Sequence, residues 1–158
     1  MKIAPTIEGG LKIEPENAQD WHVLRAITLD AKGEEYDLAS DLGDLITDEK
    51  LSEDWRDFVV PDLRESFSDD LHHVNAAIEA ADAFSKEREA AIWITREDAE
   101  NWYSALNQAR LALEETYRFG DETDIEIESL TQLKREGLFR NHFYCALQSF
   151  ILEHVMIF

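Results

Sequence analysis

Apolar residues recur every three or four positions along most of this chain, the spacing of amphipathic helices, and strand character is confined to the first fourteen residues and to AIWI at 91–94. Residues 2–8 and 11–14 flank Gly9-Gly10, a dipeptide suited to the positive φ angles of a tight hairpin turn. Pro15 stands where a first helical residue would, and Ala18, Trp21, Leu24 and Thr28, broadened by Val23 and Ile27, predict a helix over about 15–30. The stretch AKGEEYD breaks it. Tyr36, Leu38, Leu42, Leu45 and Ile46 predict a short second helix, weakened by Gly43. Leu51, Trp55, Phe58 and Val59 make a third stripe that Pro61 ends or kinks.

From Pro61 to about Phe84 the residues Leu63, Phe67, Leu71, Val74, Ile78 and Ala81 give the cleanest helical period in the chain. KEREA is a polar turn into the AIWI strand. Thr95 and Asp98 form a capping box for a helix carried by Ala99, Trp102, Leu106, Ala109, Leu113 and Tyr117 to Gly120. DETDIEIESLTQLKREG reads as an acidic surface loop, and its carboxylates miss the ligand offsets and central glycine of an EF-hand. The last helix, about 138–156, carries Phe139, Phe143, Ala146, Leu147, Phe150, Ile151 and Val155 over more than half its circumference. So wide an apolar arc predicts the central packing element, with Phe143 and Leu147 among the most buried residues.

Residues 11–24 and 92–105 align without a gap, placing Ile13 on Ile94, Glu16 on Glu97, Ala18 on Ala99 and Trp21 on Trp102. Each matched column has the same task in a strand, cap and helix-start unit, which predicts two related halves. The expected fold is mainly α, a single domain over 1–158. It has about five to six helices and a small β-sheet made by the N-terminal hairpin and a short strand near residues 91–95, arranged as a pseudo-two-fold repeat.

A chain of 158 residues can bury roughly 70% of its unfolded surface, so no disulfide or metal staple is required. The one cysteine, Cys145, lies in an apolar run and reads as a buried thiol in a reducing compartment, with the cytoplasm the expected location. No signal-peptide stretch and no membrane-length apolar run is present. Acids outnumber bases 35 to 15, for a formal charge of −20. Nucleic acids and anionic membranes, which are bound through lysine and arginine, are therefore excluded as expected partners. Residues 30–57 are the densest, with eleven acids against Lys32, Lys50 and Arg56. That segment is either a solvated face or a docking surface for a basic protein, in which Asp41, Asp44, Asp48 and Glu49 are the candidate partner residues.

No catalytic, cofactor-binding or metal-binding signature is found, and none is expected. His72 and His73, with Asp69 one turn before, point about 100° apart on a helix and read as a polar flank of the core stripe. His142 and Cys145 lie three apart, yet activated cysteines favour helix N-termini or cationic surroundings. Asn107 and Arg110, three apart in an otherwise apolar helix, are the polar residues to watch, as a structural pair or a ligand clamp.

The pattern WYSALNQARLALEETYRFG followed by LFRNHFYCALQSFILE resembles an uncharacterised bacterial family, a domain of unknown function best represented in actinobacteria. Its members likewise start with a glycine-bearing hairpin-like segment, carry a W..ALN..RL.L helix and end on an LQ..L core, here Leu147-Gln148 and Ile151. The similarity lies chiefly in the ends and in residues 94–120, and leaves the acidic segments 30–57 and 121–128 unmatched. It implies a mostly helical cytoplasmic protein, often encoded beside the adaptor that feeds substrates to the Clp protease, and carries over no functional residues. Two functions are expected. The first is a non-enzymatic acidic interaction or regulatory module linked to regulated proteolysis. The alternative is a small-ligand or metal-dependent enzyme with a site assembled from scattered carboxylates, His142 and Arg110.

Overall fold

A computed structural model describes residues 1–33, 36–85, 89–120 and 130–157. Strands β1 (Lys2–Pro5), β2 (Leu11–Glu14) and β3 (Ile92–Ile94) form one antiparallel sheet in the order β1-β2-β3. The hairpin turn is wider than a Gly9-Gly10 pair. It runs from Thr6 to Gly10, closed by Thr6 N–H to Gly10 C=O at 2.8 Å and Gly10 N–H to the Thr6 hydroxyl at 2.9 Å. Only Gly9 has positive φ. Gly10 is required for space, because a Cβ there would lie 2.5 Å from the Ile94 carbonyl oxygen.

The register pairs Leu11 with Ile94, Lys12 with Trp93 and Ile13 with Ile92. An antiparallel pair so centred has a local two-fold through Lys12 and Trp93, which carries Leu11 onto Ile92 and Ile13 onto Ile94. That is the residue correspondence of the sequence repeat. All four of these residues are buried, and the open face of the sheet carries Lys12 over the Trp93 ring at 5.2 Å.

The helices that follow keep the correspondence: α1 is Ala18–Lys32 and α5 is Ala99–Tyr117, and the two pack together. Leu24, Ile27, Thr28 and Ala31 are buried in α1, as are their counterparts Ala105, Gln108, Ala109 and Ala112 in α5. α1 begins later than Pro15 because Asn17 is the cap, its side chain accepting from Asp20 N–H at 2.9 Å. The α5 box forms as expected. Thr95 Oγ1 donates to Asp98 at 2.7 Å, and Asp98 takes Thr95 N–H at 3.1 Å.

Between the halves lie α2 (Leu38–Gly43), α3 (Glu49–Asp54) and α4 (Val60–Ala83). Pro61 neither ends nor restarts a helix. α3 runs into α4 through a π-helical turn, Trp55–Val59, in which Val60 N–H reaches back to the Trp55 carbonyl. Widening the register just before a residue that lacks a donor carries the rod past it. Counting that rod once, the described residues hold five helices.

The fifth is α6, Gln132–Ile151, which continues as a second π-helical turn, Leu152–Met156. It starts ahead of the expected residue 138, capped by Thr131, whose hydroxyl accepts from Lys134 N–H at 3.3 Å. Gly137, the last residue of the segment expected as a loop, lies inside the helix. A Cβ there would sit 2.7 Å from the Tyr117 ring, so the glycine permits close approach of α5 and α6. The loop expected over 121–137 lies outside the described residues at 121–129, and its last part is corrected, because residues 132–137 form the first turns of α6.

The hub of the fold is α5, which packs against α1, α4 and α6 and buries Trp102, Ala105, Leu106, Ala109 and Leu113. The expectation that α6 is central is thus corrected. Its buried stripe is Leu138, Tyr144, Leu147, Gln148, Ile151 and Val155. Leu147 is fully buried, Phe143 is only partly so, and Phe139 and Phe150 are exposed. Cys145 is exposed, contrary to the buried thiol expected. It sits beside the buried stripe on a helix whose two apolar faces merge when read by periodicity alone. Among the described residues no helix is long and apolar enough to cross a membrane.

Candidate functional site

The densest acids of the sequence fold into a lobe made of α2, α3 and the first π turn, set against α4 and α5. Acids build it as well as decorate it. Asp37 caps α2, accepting from Ser40 N–H, and Asp48 caps α3, accepting from Leu51 N–H at 3.0 Å. Asp37 is also held by Arg64, whose Nε donates at 2.9 Å and whose Nη2 makes a second bond, and this arginine holds the carboxyl below its ordinary range. The lobe closes where the Trp55 indole lies over Gly43, with a Cβ position 2.7 Å from Cδ1, and Nε1 donates to the Ala39 carbonyl at 3.4 Å. A cleft of about 360 Å³ between α2 and the π turn is lined by Ser40, Ser52, Arg56 and Arg64.

Of the four candidate partner residues, Asp48 is spent on its cap, while Asp41, Asp44 and Glu49 are exposed. Asp41 has its carboxyl pKa raised, by burial first and then by the charges of Asp44, Glu115 and Asp37. Burial pushes the neighbouring Tyr36 phenol up to about 12, with Asp41 and Glu115 adding to it. Among these charges stand large apolar side chains: Leu42, Leu45, Leu51 and Phe58 are all exposed, Leu45 by 85% and Phe58 by 71%. The acids were legible in the sequence. The apolar exposure was not, because the same leucines complete helical stripes that periodicity assigns to a core.

The other residues singled out do not converge. Arg110 donates to Gln148 Oε1, Gln148 passes a bond to the Tyr103 carbonyl at 3.1 Å, and Arg110 Nε is buried without a partner. That is the structural pairing of α5 with α6. Asn107 is half-buried on α5, and His142 lies on the exposed side of α6. His73, read as a polar flank, bonds Asp98 at 2.9 Å. Burial raises the Asp98 carboxyl, but hydrogen bonds from Thr95 and His73 outweigh it and leave the group below its ordinary value. Among the described residues no group of three or more His, Cys, Asp or Glu side chains could hold a metal ion.

Sequence reasoning missed one polar cluster. Arg140 donates to both Asp30 oxygens, at 2.7 and 3.0 Å, and Tyr144 O–H donates to the same carboxylate at 2.6 Å. Arg140 and Tyr144 are one turn apart on α6, but Asp30 is 110 residues away, so no local spacing announces the set.

A family model described as "Domain of unknown function (DUF2017)" matches residues 38–151. The match starts at the first residue of α2 and stops at the last of α6, so it includes the acidic lobe and leaves β1, β2 and α1 outside. The match takes in residues 94–120 and the C-terminal helix, as the motifs implied, but it leaves out the hairpin and includes the acidic segments that the motifs left unmatched. No curated protein and no solved structure matches the chain.

Proposed function

The chain belongs to the DUF2017 family, and we propose that it is a non-enzymatic protein-interaction module that docks a basic partner on the lobe of α2, α3 and the first π turn. The observation that carries this reading is the exposure of Leu42, Leu45, Leu51 and Phe58 among Asp41, Asp44, Asp48, Glu49 and Asp57. A face that only keeps a protein dissolved needs charge alone. Apolar side chains set among charges mostly of one sign, here broken only by Lys50 and Arg56 on α3 and the π turn, are what a partner interface uses, the charges steering the encounter and the apolar groups holding the complex. The raised carboxyl of Asp41 supports the same reading, since its ionised form opposes folding at neutral pH. The reading places the protein in the cytoplasm and its partner in regulated proteolysis, the neighbourhood that the family resemblance implies.

The test is capture on the immobilised protein at about 0.1 M and 1 M salt, where the screening length falls from about 10 Å to about 3 Å. The expected partner is held at low salt and released at high salt. It is lost when Asp41, Asp44, Asp48 and Glu49 are neutralised together, and lost again in Leu45→Ser with Phe58→Ser. A partner whose retention ignores all six substitutions would refute the assignment.

A further inference from the structure

A groove of about 460 Å³, within the size range of small-ligand pockets, runs between α1 and the first half of α6. Its lining is richer in cationic and amide donors than the rest of the chain. In a protein with 35 acids and 15 bases, it gathers two arginines, Arg135 and Arg140, a histidine, His22, and the amide of Gln19, against a single acid, Glu136. The phenyl ring of Phe139, 62% exposed, and Val23 supply apolar wall.

The donors are largely uncommitted. Among the described residues Gln19 and His22 make no hydrogen bond, and Arg135 reaches only the Leu130 carbonyl at 3.5 Å. Arg140 spends Nε and Nη2 on Asp30, and among the described residues its Nη1 makes no hydrogen bond. The same pairing, backed by the Tyr144 hydroxyl, fixes the guanidinium in place, so a ligand meeting Nη1 does not have to order it. Glu136 is occupied by the Gln132 amide at 3.0 Å.

The charges set the ligand class. Arg135 and Arg140 are balanced by Asp30 and Glu136, so the groove is locally neutral inside a strongly acidic chain. A dianion would be repelled, whereas a monoanion can take the planar donor fork of an arginine. We propose that this groove binds a monocarboxylate with an apolar body, the carboxylate between Arg135 and Arg140 Nη1 and the body against Phe139 and Val23. Two sources share that chemistry, a free small organic acid and the C-terminal carboxylate of a peptide.

The test is titration by NMR of the Arg140 Nε–H and His22 ring signals with 4-phenylbutyrate, with its uncharged amide, and with a glycine-rich tetrapeptide ending in phenylalanine, free or amidated at its C-terminus. The acid is expected to give a saturable shift at both residues, and the amide to bind at least about tenfold more weakly, the loss of one charge-assisted contact. Arg135→Gln should weaken the acid about tenfold and Phe139→Ser several-fold. Both residues are exposed, so the fold is expected to survive either change. A free tetrapeptide that binds more tightly than phenylbutyrate and fails when amidated identifies a chain terminus as the ligand, and the reverse order identifies a small acid. No saturable shift up to about 10 mM, a range in which even ~1 mM affinity would register, overturns the proposal. So does an amide that binds as well as the acid, or an Arg135→Gln variant that binds unchanged.

Discussion

Gly10 shows how a single position can be legible in kind and misread in detail. A glycine pair does mark the hairpin, but Gly9 supplies the positive φ while Gly10 supplies room for the Ile94 carbonyl 2.5 Å from a Cβ. Because that oxygen belongs to the backbone of β3, it cannot move aside without parting the strands. Gly10→Ala should therefore destabilise by about 1–3 kcal/mol in urea unfolding, the usual cost of overpacking. Asp98 is the residue whose role sequence stated most fully, and Asp98→Ala should cost about 0.5–2 kcal/mol at pH 7 through the lost cap. Its folded pKa is lowered, so this stabilisation is present above the unfolded value of about 3.9 and is lost as pH falls through the folded pKa. Wild type and variant should then converge only below the folded pKa. Asp41 has the opposite sign: its raised pKa makes the neutral form the one that favours folding, so Asp41→Asn should raise the melting temperature at pH 7 and change little at pH 3.

Elements were legible wherever a helix carries a single apolar stripe and that stripe is buried, as in α1, α4 and α5. They were not where a helix carries two stripes. On α6 the set Phe139, Phe143, Ala146 and Phe150 recurs as regularly as Leu147, Ile151 and Val155, yet only the second faces α5. Spacing records a face and not what covers it. Leu147→Ala should accordingly cost about 2–5 kcal/mol, while Phe143→Ala, at a partly buried site, should cost clearly less in the same denaturation series. A comparable stability loss from both would restore α6 to the centre. The start of α6 was hidden because the acidic run 121–137 has no long apolar period, so its last residues read as loop although they begin the helix.

At the scale of the molecule, the repeat was the most informative feature of the sequence, because a strand, a cap and a helix start recur at a fixed offset and the sheet register honours that offset. The lobe of α2, α3 and the first π turn was half legible. Charge is a property of composition and survives folding unchanged, but exposure depends on which helices pair, and the apolar residues of α2, α3 and the π turn complete stripes that no neighbour covers. We propose that this lobe uses its acids to attract a partner and its apolar side chains to keep it. Association and dissociation rates of the captured partner, followed by surface resonance against salt, separate the two jobs. The association rate should fall as salt rises and fall further when Asp41, Asp44 and Glu49 are neutralised, while Phe58→Ser should leave it nearly unchanged and speed dissociation. An association rate indifferent to both salt and those three acids, or a dissociation rate indifferent to Phe58, would contradict the claim.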